Sequence, residues 1–240
     1  MLAVPACEGK LSADQINKVM EAHFAEDGPE HMVQPAMVYI SFPTELGTIY
    51  TKQELSAIRS ACDEWQLNLF IDGARLGYGL TCDACDVNLK GIAAIADVFY
   101  IGGTKQGALL GEAVVINNDA LKKDFRYNIK QNGGMLAKGR LLGLQFEALF
   151  EDNLYFDAAR HANVLAKKVR AAFEAKGCEF LIDSPTNQQF PILSKEDVDR
   201  LEESFVFSRW QIMDDGRIAT RFCTSWATTE EAVDRLVALL

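Results

Sequence analysis

The chain has 240 residues, nearly half of them apolar and about a quarter charged, the composition of an ordinary globular protein. Its formal net charge of −10 speaks against nucleic acid or an anionic membrane as the main partner, since neither attracts a protein of this sign. No uninterrupted apolar run of about 18 residues is present, so no membrane-spanning helix is expected, and the opening MLAVPAC has neither the basic start nor the apolar length of a secretory leader.

In chain order, MLAVPACEGK reads as the end of a strand entering a turn. LSADQINKVMEAHF follows as a helix, with Ser12 as N-cap and Ile16, Val19, Met20 and Phe24 on one face. Ala36 to Phe42 form a compact apolar run broken by Pro43, which predicts a buried strand and then a loop. TKQELSAIRSACDEWQL carries a capping box, Thr51 with Glu54, and helical spacing through Leu55, Ile58, Ala61 and Trp65. NLFIDGARL supplies a second buried strand ending at Asp72, VNLKGIAAIA a helix, and DVFYIGG and GEAVVINN two further strands. The alternation of strands and helices predicts an α/β fold, a mostly parallel sheet with helices on both faces.

Beyond about residue 130 the pattern turns helical, with a break near Glu151 to Asn153 and a stop at Gly177. CEFLID, NQQFPIL and RIATRFCTS then read as strands, SKEDVDRLEE and TTEEAVDRLVALL as helices, the last capped by Thr228. The expected division is residues 1–134 as a larger α/β part, 135–176 as connecting helices and 177–240 as a smaller α/β domain.

Six cysteines lie at 7, 62, 82, 85, 178 and 223. Cys82-x-x-Cys85 has no second pair or nearby histidine in register for zinc, so no metal site is assigned and the thiols read as bystanders in a reducing cytoplasm. His23, His31 and His161 stand far apart and read as surface or cap residues.

Two charges in the apolar first half carry the chemical argument. Asp72, in FIDGARLG, is a carboxylate at a strand end, where burial needs a cation or strong donors. Arg75 is one candidate partner, and the protonated ring nitrogen of a cofactor is the other. Lys105, in IGGTKQGALLG, is expected to be held inside among small residues, where desolvation makes an amine nucleophilic toward an aldehyde. An aspartate at one strand end and a lysine after the next suit pyridoxal phosphate: the lysine takes the aldehyde and the aspartate keeps the pyridine nitrogen protonated.

The segments YISFPTELGTIY, FIDGARLGYGL, DVFYIGGTKQGALLGEAVVI, TNQQFPIL and RFCTSWATTEEAVD resemble, in order, those of the threonine aldolase and β-eliminating lyase family, a branch of the fold-type-I pyridoxal phosphate enzymes. TNQQFPIL and RFCTSWATTEE are similar to the bacterial low-specificity threonine aldolase subgroup. The resemblance implies Asp72 at the pyridinium nitrogen, Ala74 against the ring face, and Lys105 as the residue bonded to the cofactor. It places Gly103 and Thr104 near the phosphate, and Arg75 and Arg221 on the substrate carboxylate, with Arg217 a weaker rival. Thr44 and Glu45 are expected to face the site.

The activity implied is cleavage of the Cα–Cβ bond of a small β-hydroxy-α-amino acid. β-Elimination, amino transfer or an inactive subunit are the alternatives. The resemblance also implies a cytoplasmic homodimer or homotetramer. Family members carry roughly another third before the point where this sequence starts, including the phosphate loop, so the fold is expected to be a partial fold-type-I large domain covered by a missing N-terminal segment or a complementary chain.

Overall fold

The computed structural model describes residues 2–240. A four-stranded sheet, ordered β1 (Met37–Ser41), β2 (Asn68–Asp72), β3 (Val98–Gly102) and β4 (Glu112–Ile116), organises the first half. β1, β2 and β3 run parallel, with Ser41 opposite Asp72, and β4 returns antiparallel along β3. The loops that leave β1, β2 and β3 therefore open at one edge of the sheet, where parallel α/β sheets place their working residues.

Helices α1 (Ala13–Ala25), α2 (Lys52–Glu64), a short α3 (Leu76–Leu80) and α4 (Leu89–Ile95) complete this half. Ser12 with Gln15 and Thr51 with Glu54 both close reciprocal capping boxes, each satisfying two backbone N–H groups that a helix start leaves unpaired. Leu55 and Ile58 of α2, Ile16 and Met20 of α1 and Ile92 of α4 join one core with Val38, Ile40, Leu69, Ile71, Phe99 and Ile101 from the strands. Asp97 fixes the start of β3: its carboxylate takes Arg59 Nη1 at 2.7 Å, the Leu69 N–H at 2.7 Å and Asn118 Nδ2 at 3.0 Å.

The second half follows α5 (Phe125–Gln131) and α6 (Arg140–Phe150), which bends through a 3₁₀ turn at Glu151–Asn153 into the 22-residue α7 (Leu154–Ala175). An antiparallel sheet then has β8 (Ile218–Cys223) flanked by β5 (Gln188–Gln189), β6 (Ile192–Leu193) and β7 (Ser208–Ile212). With α8 (Lys195–Glu202) and α9 (Glu230–Leu239) it closes a second core of Leu165, Val169, Phe173, Val198, Phe222 and Val233. α7 belongs to both cores, since Tyr155 near its start lies in the first.

Several local expectations change. The opening segment forms no strand in its described residues, only a turn closed between Cys7 and Lys10, and its Met1 lies outside the described residues. The buried stripe of α1 runs through Ile16, Met20 and His23, while Phe24 is exposed and stacks on Trp65 at 5.9 Å. His23 is thus a buried histidine, not a surface one.

β1 is only half buried. Met37 at 54% and Tyr39 at 52% exposure, with Val114 at 53%, share the sheet face opposite the helices. An apolar run of five residues hides the alternation that a one-sided sheet imposes. CEFLID contributes one bridge, Phe180 to Pro191, instead of a strand, and the cap of α9 is Thr229. β7, α3 and α5 lie outside the elements that the pattern predicts.

Candidate active site

Asp72 is the last residue of β2, and period-two alternation turns it to the exposed face of the sheet with Phe70. Oδ1 accepts the N–H of Ala74 at 2.9 Å, and Oδ2 accepts the hydroxyl of Tyr39 across the β1–β2 pair. Tyr100, on β3, turns its hydroxyl to the same carboxylate. Burial alone would raise this carboxyl. The Tyr100 and Tyr39 hydroxyls, the Ala74 N–H and the charge of Lys105 outweigh it and hold Asp72 below its ordinary value. The phenols respond in the opposite sense. Burial first, then the donated hydrogen bond to Asp72, pushes Tyr39 up to about 12 and raises Tyr100 as well. Arg75 is not the partner of Asp72.

Lys105 follows β3 in a tight turn and is exposed, not buried. Its neighbour takes the inside position. Gln106 is 0% exposed, and its Oε1 accepts the N–H of Gly77 at 2.8 Å while Nε2 has no partner. The small residues around the lysine leave no empty space: a Cβ on Gly102 would overlap the Ala74 carbonyl, and one on Gly103 would strike Gly111 and Phe146. Close backbone approach explains those glycines. Lys105 still lies at the edge of the sheet where Asp72 ends β2, because it follows the parallel strand β3 by three residues. The Tyr78 hydroxyl, donating to the Lys105 carbonyl, anchors the turn.

The Gly103 N–H and the Thr104 hydroxyl are engaged. Both donate to the carboxylate of Glu112, at 2.7 and 3.0 Å. A phosphate at these groups would compete with Glu112.

Arg75 and Arg221 come together from different sheets. Arg75 caps the start of α3, and Arg221 projects from β8. Their Nη1 atoms meet the two oxygens of Glu45, at 3.0 and 2.7 Å. Arg221 lies over the ring of Trp210, 4.8 Å from its centroid. Arg217 is held by Glu179 and Asp215 instead. Thr44 is buried and bonds Thr48 at 2.6 Å between their hydroxyls, so of the loop pair only Glu45 meets the arginines.

Sequence reasoning overlooked Tyr39, Tyr100, Gln106 and Glu112. Strand parity was the available signal for the two tyrosines, since each aligns on the face of Asp72 once the parallel register is known. The thiols of Cys82 and Cys85 stay free and bond the Gly79 and Val87 carbonyls, both at 3.2 Å. Burial pushes Cys82 up to about 11 and raises Cys85, which makes poor nucleophiles of both.

The donor set suits pyridoxal phosphate at two ends. An anionic carboxylate, with an oxygen held by an exposed tyrosine hydroxyl, can accept a pyridinium N–H. An accessible amine on the same side can take an aldehyde carbon.

Comparison with known proteins places this geometry in context. A sequence model described as beta-eliminating lyase matches residues 2–195. A low specificity L-threonine aldolase from a Pseudomonas species is 33% identical over 213 residues, 87% of this chain and 60% of that protein. One from Pseudomonas aeruginosa is 32% identical over 211 residues, 86% and 59% of the two chains. The solved structure of Leishmania major threonine aldolase superposes with a TM-score of 0.95 at 44% identity, covering 99% of this chain and 68% of that one. The chain thus spans about 60% of the length of the two curated relatives.

Proposed function

This chain belongs to the beta-eliminating lyase family, whose members are pyridoxal phosphate-dependent lyases, and from that premise we propose that it serves the cleavage of a β-hydroxy-α-amino acid between Cα and Cβ, threonine giving glycine and acetaldehyde. The observation that carries this reading is the convergence of Asp72, Lys105, Arg75 and Arg221 on one edge of the parallel sheet, with Asp72 held anionic.

When bound, the cofactor supplies an electron sink for the pair released as the Cα–Cβ bond breaks. Asp72, whose Oδ2 accepts the Tyr39 hydroxyl, would hold a proton at the cofactor's ring nitrogen. Lys105 would take its aldehyde carbon, and Ala74 would lie against its ring. Arg75 and Arg221 would grip the substrate α-carboxylate. Two planar forks would fix the rotation about Cα and so select which of its bonds is broken.

The chain is read as three parts: residues 1–134 as the cofactor-binding part, 135–176 as connecting helices and 177–240 as the small domain. The two apolar cores joined through α7 support this division. Among the described residues no helix is long and apolar enough to cross a membrane.

Two measurements test the reading. Borohydride treatment of the chain with pyridoxal phosphate is expected to fix one cofactor mass on the peptide containing Lys105, and Lys105→Ala to lose it. Threonine is expected to yield acetaldehyde. A yield of 2-oxobutanoate would assign elimination instead, and an undiminished cofactor mass on K105A would move the attachment elsewhere.

A further inference from the structure

The two arginines assigned to the substrate carboxylate already hold a carboxylate. Glu45 gives one oxygen to each, at 3.0 Å to Arg75 and 2.7 Å to Arg221. Its backbone is fixed from both halves of the molecule. The turn is closed by the Thr44 N–H on the Thr48 carbonyl and the Gly47 N–H on the Thr44 carbonyl, both at 2.9 Å. Gln188 Nε2 reaches the Glu45 carbonyl at 3.2 Å and the Thr186 hydroxyl the Gly47 carbonyl at 2.9 Å. Gly47, at φ +77°, is a glycine by necessity, because a Cβ there would overlap Ser184.

The side chain contrasts with this anchored backbone. It is 58% exposed, against 15% and 19% for the guanidinium-bearing side chains it meets. Arg221 has holds of its own: the ring of Trp210, and Ser208 Oγ at 3.5 Å from Nη2. Its buried Nε has no partner. The cation sites are built into the fold, and the anion between them sits on a side chain free to turn into solvent.

We propose that Glu45 is a tethered occupant of the substrate-carboxylate position, which neutralises Arg75 and Arg221 in the substrate-free chain and must be displaced by the incoming amino acid. This rests on the assignment of the two arginines made above and adds a specificity device to it. A tethered group competes at a high effective concentration that does not fall on dilution. Only a ligand that returns a full negative charge to both guanidiniums can replace it, so free α-carboxylates are accepted and neutral amides rejected. Glu45 touches no reacting atom; it acts by occupying the place of one substrate group.

The probe is propanoate, a carboxylate without an amine, titrated into the full chain without cofactor and followed by the arginine Nε–H resonances. Two weak ion pairs lost predict that Glu45→Gln and Glu45→Ala bind propanoate about three- to tenfold more tightly than the parent, while propanamide binds none of the three. With cofactor, KM for threonine is expected to fall by the same factor and kcat to stay in place. Unchanged or weaker propanoate binding in both variants, with the melting temperature preserved, overturns the proposal and makes Glu45 a positioning residue. No saturable propanoate shift in any form overturns it too. If propanoate behaves as expected but the chain retains no cofactor, the lyase reading fails while the role of Glu45 stands.

Discussion

At the scale of single residues, Asp72 shows how a carboxylate is kept charged. Burial opposes ionisation, and donors from Tyr100, Tyr39 and Ala74, with the Lys105 charge, reverse the balance. Its folded pKa lies below the unfolded one. Its contribution to stability is therefore complete above the unfolded carboxylate value of about 4 and disappears as pH falls through the folded value. Tyr39→Phe removes a donor to the charged form and raises the folded pKa. Urea denaturation is expected to show the parent more stable than Y39F at pH 7, with the gap narrowing toward pH 3. A gap independent of pH would mean that Tyr39 acts by packing alone. Gln106 offers a second check. Gln106→Ala strands the Gly77 N–H in the interior, a loss of about 1–3 kcal/mol, readable in the same denaturation series.

Among elements, helix starts were the most legible features. Ser12 is readable as an N-cap and Thr51 with Glu54 as a capping box, and the structure adds Gln15 as the partner of Ser12, because such a signal is local and chemically narrow. Thr51→Ala is expected to cost about 1 kcal/mol by chemical denaturation, and a cost near zero would show that packing alone sets the start of α2. α3 was not legible. LGYGL is five residues with two glycines, a poor helix by propensity. It forms because Gly77 lets Gln106 and Tyr155 approach, and because Asn163 of α7 bonds the Tyr78 carbonyl at 2.9 Å and the Thr81 hydroxyl at 3.1 Å. Gly77→Ala, whose Cβ would lie 2.8 Å from Tyr155 and closer still to Gln106, is expected to lower the melting temperature by several degrees. A neutral result would show that the contact between α3 and α7 gives way freely.

On the scale of the whole molecule, two cores share α7, and one sheet face stays open. Met37, Tyr39 and Val114 line that face, with Phe70 stacked on Tyr39 at 5.4 Å between ring centroids. A contiguous apolar surface of this kind favours association. Sedimentation velocity is expected to show a species heavier than the 26.6 kDa chain, and Val114→Lys to shift it toward the monomer with the circular dichroism spectrum unchanged. A monomer at all concentrations would leave this face without a protein partner.

The alternation of β1, α2, β2, α4, β3 and β4, the places of Asp72 at the end of β2 and Lys105 after β3, and the family itself were determined by the sequence. Each is written in local signals: apolar runs, caps, and motifs such as FIDGARLG and IGGTK. What only the tertiary structure decided is which charges meet. The interior place goes to Gln106 rather than Lys105, Arg75 turns to Glu45 rather than Asp72, and Arg221 crosses from the second sheet to the same carboxylate. Glu45 and Arg221 stand 176 positions apart, and no periodicity in the chain encodes such a pairing. It exists because α7 packs the second sheet against the loop edge of the first, and opposite charges brought that close pair with whatever the packing leaves beside them.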